Sequence, residues 1–227
     1  MGTLLLIRHG RTSANVEGIL AGRLPEVFLD EVGQSSARAL ALRIASVPVC
    51  QVVTSPLERT VQTTQLVFEE STPVTHEDRL IECDYGLWQG RSLKELALDE
   101  RWSVVQETPD EMVFPDGESM LSMAQRAVSA MHEWDAKVVA EHGDKAIWAA
   151  VSHGDVIKAI CADALGIPLR KFQRIVIEPA SVSVIHYNKD AVSLSKLNDT
   201  GDSWISQLVA PFEGATLGGQ SGRSSEA

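Results

Sequence analysis

The chain has 227 residues, 44% of them apolar and 22% charged, the make-up of an ordinary globular domain with ample material for a core. A formal net charge of −11 sets the surface as a whole against nucleic acid and anionic membrane, so any anion site has to be a local, enclosed cluster of basic groups. Cys50, Cys83 and Cys161 are widely spaced, odd in number and form no Cys-x-x-Cys pair, which argues against a disulfide framework or structural zinc and fits a reducing compartment.

Residues 3–7 (TLLLI) form a short continuous apolar run, the pattern of a strand buried on both faces. The run is too short for a signal-peptide core and passes straight into charge, and no stretch approaches the ~20 apolar residues of a membrane span, so a cytoplasmic chain is expected. A polar, glycine-containing segment follows to about Pro25. Residues 29–47 read as a helix, with Asp30 as N-cap and Leu40, Ile44 and Val47 on one stripe. CQVVTS (50–55) is a second strand, stopped by Pro56, and 57–70 is the helix after it. TPVTHEDRL (72–80) reads as a third, more polar strand, and 81–90 as an irregular loop with two glycines.

Short helices are expected over 92–113 and a turn at Pro115-Asp116-Gly117. Residues 110–119 suit a lid and a plain connector equally. The longest helical pattern covers 118–143, with Gly143 where a C-cap glycine would stand. KAIWAAVS (145–152) is another buried strand, followed at once by a helix over 153–166. Two strands, 181–187 and 191–198, are joined through Asn188-Lys189-Asp190 as a hairpin. Strands alternate with helices, which predicts an α/β fold with three layers: a mainly parallel central sheet with helices on both faces. One domain is expected over 1–205, with a disordered Gly/Ser-rich tail over 206–227.

Ligands of such sheets bind beyond the carboxyl ends of the strands. The first strand delivers Arg8, His9 and Gly10 there; the second delivers Ser55 and, one turn into the next helix, Arg59; the strand before residue 153 delivers His153 and Gly154 at a helix N-terminus. A cation beside an imidazole disfavours the protonated ring, and helix N-termini add partial positive charge. Two histidines and at least two arginines on one edge suit a doubly charged anion, of which phosphate is the commonest. The remaining histidines, His76, His132, His142 and His186, have no partner pattern, and no metal-ligand spacing is present.

LIRHGRTSAN (6–15), TSPLERTVQT (54–63), ECDYGLWQG (82–90) and VSHGDVIKAI (151–160) together resemble, in the right order, the four motifs of the histidine phosphatase, or phosphoglycerate mutase-like, superfamily. The resemblance covers roughly residues 3–198. It implies that His9 is the nucleophile that forms a phosphohistidine, that Arg8, Arg59 and His153 surround the transferred group, and that Asn15 donates a further hydrogen bond. Glu82 would be the general acid and then the base that activates water. Gly10, Gly22 and Gly154 would border the phosphate, and Arg23 would contact substrate at the pocket mouth. No metal and no cofactor is implied. The partner is a small phosphorylated substrate, with no nucleic acid or membrane involved, and the resemblance allows a homodimer.

True mutases of this superfamily carry a long, basic, Pro-rich insertion after the acid, whereas this chain has only a short connection between Glu82 and Glu118. It also has Ala21-Gly22-Arg23 where mutases show a Thr-Gly-Trp type segment, Arg at position 11 where Glu is typical, and Asp at 155 where mutases tend to have Asn. The resulting expectation is a metal-independent phosphomonoesterase. A cofactor-dependent phosphoglycerate mutase or related phosphomutase is the first alternative, and a non-catalytic phospho-ligand-binding protein the second.

Overall fold

The computed structural model describes residues 2–188, 191–201 and 217–219. Six strands form one sheet: β1 (Thr3–Arg8), β2 (Val49–Thr54), β3 (Val74–His76), β4 (Ile147–Ser152), β5 (Val182–Tyr187) and β6 (Val192–Asp199), in the order β3-β2-β4-β1-β5-β6. β1 runs parallel to β4, and β2 parallel to both β3 and β4; β5 is antiparallel to β1 and to β6. The sheet is therefore mixed, with the parallel part holding the three strand ends singled out above. The turn residues 189–190 and most of 202–227 lie outside the described residues, so the Asn188-Lys189-Asp190 turn and the tail are described only in part.

Alternation along the strands makes the three layers. Leu4 and Leu6 of β1 join Trp148 and Ala150 of β4 on one face, while Leu5 and Ile7 join Ala149 and Val151 on the other. The first face is covered by α6 (Met120–His142) and α7 (Gly154–Ala164), through Met123, Ala127, Met131, Ile157 and Ile160. The second face is covered by α2 (Glu31–Ile44) and α3 (Glu58–Val67), through Ala37, Leu40 and Val67.

Several boundaries differ from the sequence reading. The polar segment after β1 contains a five-residue helix, α1 (Ser13–Glu17), closed by a Thr12–Asn15 capping box and by Gly18 at φ 66°. α2 begins at its expected cap, where Asp30 Oδ1 accepts from Gly33 N at 2.6 Å, but stops three residues short of Val47. The third strand covers only Val74–His76, because Glu77 caps a 3-10 turn over Asp78–Leu80. Two short helices, α4 (Leu93–Leu96) and α5 (Trp102–Glu107), fill the region before α6. Among the described residues no helix is long and apolar enough to cross a membrane.

Of the stretch read as a disordered tail, residues 217–219 form a short turn packed on the body of the domain. Leu217 is fully buried, and Gly218 exchanges main-chain hydrogen bonds with Asp155 and Arg8. The rest of 206–227 lies outside the described residues.

Candidate active site

The neighbouring strands β2, β4 and β1 end side by side. His9 N donates to Ser152 O at 3.0 Å and Ser55 N donates to Val151 O at 3.0 Å, so the three strand ends form one floor. Ser152 Oγ reaches Leu80 O at 2.7 Å and ties the acid-bearing loop to that floor. The chain after β1 runs very close to α2. A Cβ on Gly10 would sit 2.6 Å from Gly33 O, so only glycine fits there.

His9, Asn15, Gly22, Arg59, Glu82 and Gly218 line one narrow pocket, whose remaining walls are Thr12, Ile19, Leu20, Ala21, Tyr85 and Leu217. Behind it lie Arg8 and His153, both buried, and the His153 ring stands 5.3 Å from that of His9. A roomier groove of about 360 Å3 between α6 and α7 is mostly apolar and is lined by no histidine, lysine or arginine.

The protonation of this site follows from its contacts. His9 Nδ1 lies 2.7 Å from Gly10 O, and a carbonyl can only accept, so Nδ1 carries the hydrogen and Nε2 keeps its lone pair. Burial, and then the charges of Arg59 and Arg8, hold the His9 pKa well below the usual imidazole range. His153 is held neutral by burial and by Arg59, His9 and Arg8. Glu82 is displaced the other way, to about 7. Burial is the main cause and the Asp155 carboxylate adds to it, while the Cys83 N–H, Arg59 and Arg8 pull against them. Arg59 is lowered to about 10 by burial, which still leaves it a cation at neutral pH.

Arg59 Nη2 donates to Gly22 O at 2.6 Å, while its Nη1, like Nδ1 of His153, is buried with no partner among the described residues. Arg8 is bound through Nη1 to Ile177 O at 2.7 Å and through Nη2 to Gly218 O at 3.2 Å. Nε2 of His153 is 2.7 Å from Ser55 Oγ. Asn15 accepts from Thr12 N and Thr12 Oγ through its Oδ1, both at 3.0 Å, which leaves its amide hydrogens for a ligand.

Two expected contacts fall elsewhere, those of Gly10 and Arg23. The Gly10 N–H is spent on Thr63 Oγ1 at 2.9 Å, so Gly10 serves packing against α2 rather than phosphate. Gly154 is buried as the first residue of α7. Arg23 does not point freely into the mouth. Its guanidinium donates to Glu82 O at 2.9 Å and to Glu118 Oε1 at 2.8 Å and lies 3.6 Å from Asp84, because acidic partners distant in sequence draw it there.

The sequence reading did not single out Tyr85, whose hydroxyl donates to Asp155 Oδ2 at 2.7 Å, or the Lys158–Asp155 pair at 3.2 Å with both side chains fully buried. It also passed over Glu118 and Arg126. Lys158 on a helix with few polar positions was a usable signal, since a lysine is almost never buried without a partner. Residues 110–119 do more than connect helices. Leu87 N donates to Pro115 O at 2.9 Å and Glu118 N to Asp84 O at 2.9 Å, so the segment is a buttress for the acid-bearing loop.

Comparison with known proteins agrees with this geometry. The family model described as histidine phosphatase superfamily (branch 1) matches residues 4–200. Phosphoserine phosphatase 1 of Hydrogenobacter thermophilus is 32% identical over 206 residues, covering 88% of this chain and 93% of that protein. A Proteus mirabilis protein named "Probable phosphoglycerate mutase GpmB" is 30% identical over 186 residues, 80% of this chain and 83% of its own length. Among solved structures, YhfR of Bacillus stearothermophilus superposes with a TM-score of 0.79 at 26% identity, covering 88% of this chain and 98% of that one.

Proposed function

Because the chain belongs to the histidine phosphatase superfamily, we propose that it hydrolyses small phosphomonoesters, with His9 carrying the phosphoryl group and Glu82 moving the proton. The carrying observation is the His9 ring itself. Its Nδ1–H is fixed on Gly10 O, so Nε2 is the nucleophile, and two buried nitrogens without a partner among the described residues, Arg59 Nη1 and His153 Nδ1, stand on groups beside it.

In the first step His9 Nε2 attacks phosphorus and a bond forms between them. The ester P–O bond breaks, and the Glu82 carboxyl gives its proton to the leaving oxygen. Arg59 and Arg8 supply positive charge around the equatorial oxygens, fixed in place before the reaction. His153 donates from Nδ1 if the Ser55 hydroxyl gives its hydrogen to Nε2. That direction agrees with Leu57 N pointing at Ser55 Oγ from 3.5 Å. In the second step water attacks phosphorus, its proton passes to the Glu82 carboxylate and the N–P bond breaks. Phosphate leaves, and both residues return to their starting states.

The substrate class is read from two supports. One relative bears the name of a phosphoserine phosphatase and another that of a probable phosphoglycerate mutase, both names of enzymes for small phosphorylated metabolites, and the pocket walls include the short or apolar Ile19, Leu20, Ala21 and Leu217. The arginines provide the charge that metal ions provide in other phosphoryl transferases, so turnover is expected to survive EDTA. A phosphomutase would send a substrate hydroxyl to phosphorus in place of water. A coupled assay for interconversion of 3- and 2-phosphoglycerate, against phosphate release, separates the two.

The deciding experiment is brief exposure to radiolabelled phosphomonoester followed by denaturation. An acid-labile label on His9, absent in His9→Ala together with turnover, is expected. Normal hydrolysis of p-nitrophenyl phosphate by His9→Ala would overturn the mechanism.

A further inference from the structure

The Glu82 main chain is held by two guanidinium groups. Arg23 Nε donates to Glu82 O at 2.9 Å and Arg126 Nη2 donates to the same oxygen at 3.1 Å. Both arginines are organised by a single carboxylate: Glu118 Oε1 accepts from Arg23 Nη2 at 2.8 Å and from Arg126 Nη2 at 2.6 Å. The same oxygen accepts from Asp84 N at 2.9 Å, and Arg126 Nη1 reaches Arg79 O at 2.6 Å. The clamp thus grips the acid-bearing loop at residues 79, 82 and 84. Three stretches far apart in the chain meet there: the loop after α1, the acid loop, and the first turns of α6 with the residue before its cap.

We propose that Glu118, Arg126 and Arg23 are positioning residues that set the Glu82 carboxyl at its place of proton transfer by fixing the peptide that carries it. The proposal rests on the phosphatase reading above.

Three features favour a positioning role over a purely structural one. Partly buried charge clusters are a poor source of stability, because desolvation offsets most of the attraction and an apolar cluster of similar volume would serve as well. What charges at fixed angles do provide is geometry, and here both arginines donate to the same carbonyl, Glu82 O, and to the same carboxylate oxygen, Glu118 Oε1. Although burial pushes the Glu118 carboxyl up, the Arg126 bonds, the Asp84 N–H and Arg23 hold it below the usual carboxylate range, so the hub stays ionised. Finally, Arg23 follows Gly22, whose carbonyl holds Arg59, so one dipeptide ties the phosphate-facing cation to the residue carrying the acid.

Leaving-group dependence tests this, because p-nitrophenolate departs without a proton whereas an alkoxide needs one. The full chain with Glu118→Gln or Arg126→Lys is assayed for kcat/KM on p-nitrophenyl phosphate and on glycerol 2-phosphate. The expected result is a loss on the order of ten- to a hundredfold on the alkyl ester and less than about threefold on the aryl ester, since general acid assistance serves only the former. Arg126→Lys keeps the charge without the two-pronged grip and is expected to show the same selective loss, which keeps the test decisive where Glu118→Gln does not fold. Equal losses on both esters, or none on the alkyl ester, would overturn the clamp while leaving the phosphatase reading intact. A wild-type chain inactive on both esters would remove the phosphatase reading and the clamp together.

Discussion

The imidazoles of His9 and His153 face each other with ring centroids 5.3 Å apart and planes inclined by 58°, and each ring is tied by one nitrogen to a different partner. His9 is fixed by a main-chain carbonyl and His153 by a side-chain hydroxyl, Ser55 Oγ. The second tie can be removed without touching the first. Ser55→Ala frees the His153 ring to adopt the other tautomer, in which Nδ1 presents a lone pair and no hydrogen to a phosphoryl oxygen. The expected outcome is a kcat/KM lower by about ten- to a hundredfold, through slower phosphorylation, with the label still recovered on His9, measured by steady-state kinetics and by recovery of labelled phosphohistidine.

The pH dependence follows from Glu82. With its carboxyl displaced to about 7, the residue still holds its proton in mildly acid solution and loses it as pH rises through neutrality. His9, held well below the usual imidazole range, is already neutral there. An acid needed protonated and a nucleophile needed neutral overlap on the acid side of neutrality, so kcat/KM for an alkyl phosphate is expected to fall above about pH 7. A flat profile from pH about 6 to about 9 would contradict the assignment of Glu82 as general acid.

The same displacement acts on stability. Below the ordinary carboxyl value of 4.5 the folded and unfolded chains both hold this proton; as pH rises toward about 7 the unfolded chain releases it first and the native state loses ground. Glu82→Gln removes that loss. The variant is expected to be nearly inactive and yet, relative to wild type, to gain up to about 3 kcal/mol between mildly acid and mildly alkaline pH, read from denaturant midpoints. Loss of activity with gain of stability is the signature of a residue kept for chemistry.

The residues at the ends of β1, β2 and β4 were legible in sequence because short apolar strands of a parallel sheet stop abruptly where the chain turns polar, and a doubly wound sheet puts its ligands at those ends. Strand order was not legible. It depends on which edge each helix crosses, and it is what makes β1, β4 and β2 neighbours. Arg23 shows a second limit. Its position after the first motif suggested the pocket mouth, but Glu118 and Asp84, which draw it aside, have no local trace. α1 escaped notice because five residues are too few to show helical periodicity, and β3 was overread because the cap formed by Glu77 looks like any polar residue in a strand.

Packing of the loop after β1 against α2 gives a prediction that concerns stability first. A Cβ on Gly33 would lie 2.1 Å from Arg11 O and one on Gly10 would lie 2.6 Å from Gly33 O, in both cases against main chain that cannot swing away. Gly33→Ala and Gly10→Ala are each expected to cost about 1–3 kcal/mol, more if the loop must shift, and to misplace His9. Thermal unfolding gives the first effect and KM the second, and Gly33→Ala is the cleaner test because residue 33 lies on α2, whereas Gly10 is the chain neighbour of His9 and accepts its Nδ1–H.

Asp155 and Lys158 offer opposed tests of the electrostatics. The Asp155 carboxylate accepts from Tyr85 Oη at 2.7 Å and from Gly218 N at 3.0 Å and pairs with Lys158 Nζ at 3.2 Å, all buried or nearly so. Its negative charge helps keep the proton on Glu82, against Arg59 and Arg8. Asp155→Asn removes that charge and leaves the Lys158 cation, so Glu82 ionises more readily and the alkaline limb of kcat/KM moves to lower pH. Lys158→Met leaves the Asp155 charge without its counterion, so Glu82 holds its proton longer and the limb moves to higher pH. Each single change strands one buried charge and is expected to cost about 3–5 kcal/mol, while the double variant regains most of it and restores the limb toward its wild-type position. Shifts of the same sign from both substitutions would mean that they act through distortion of the site and not through its charge.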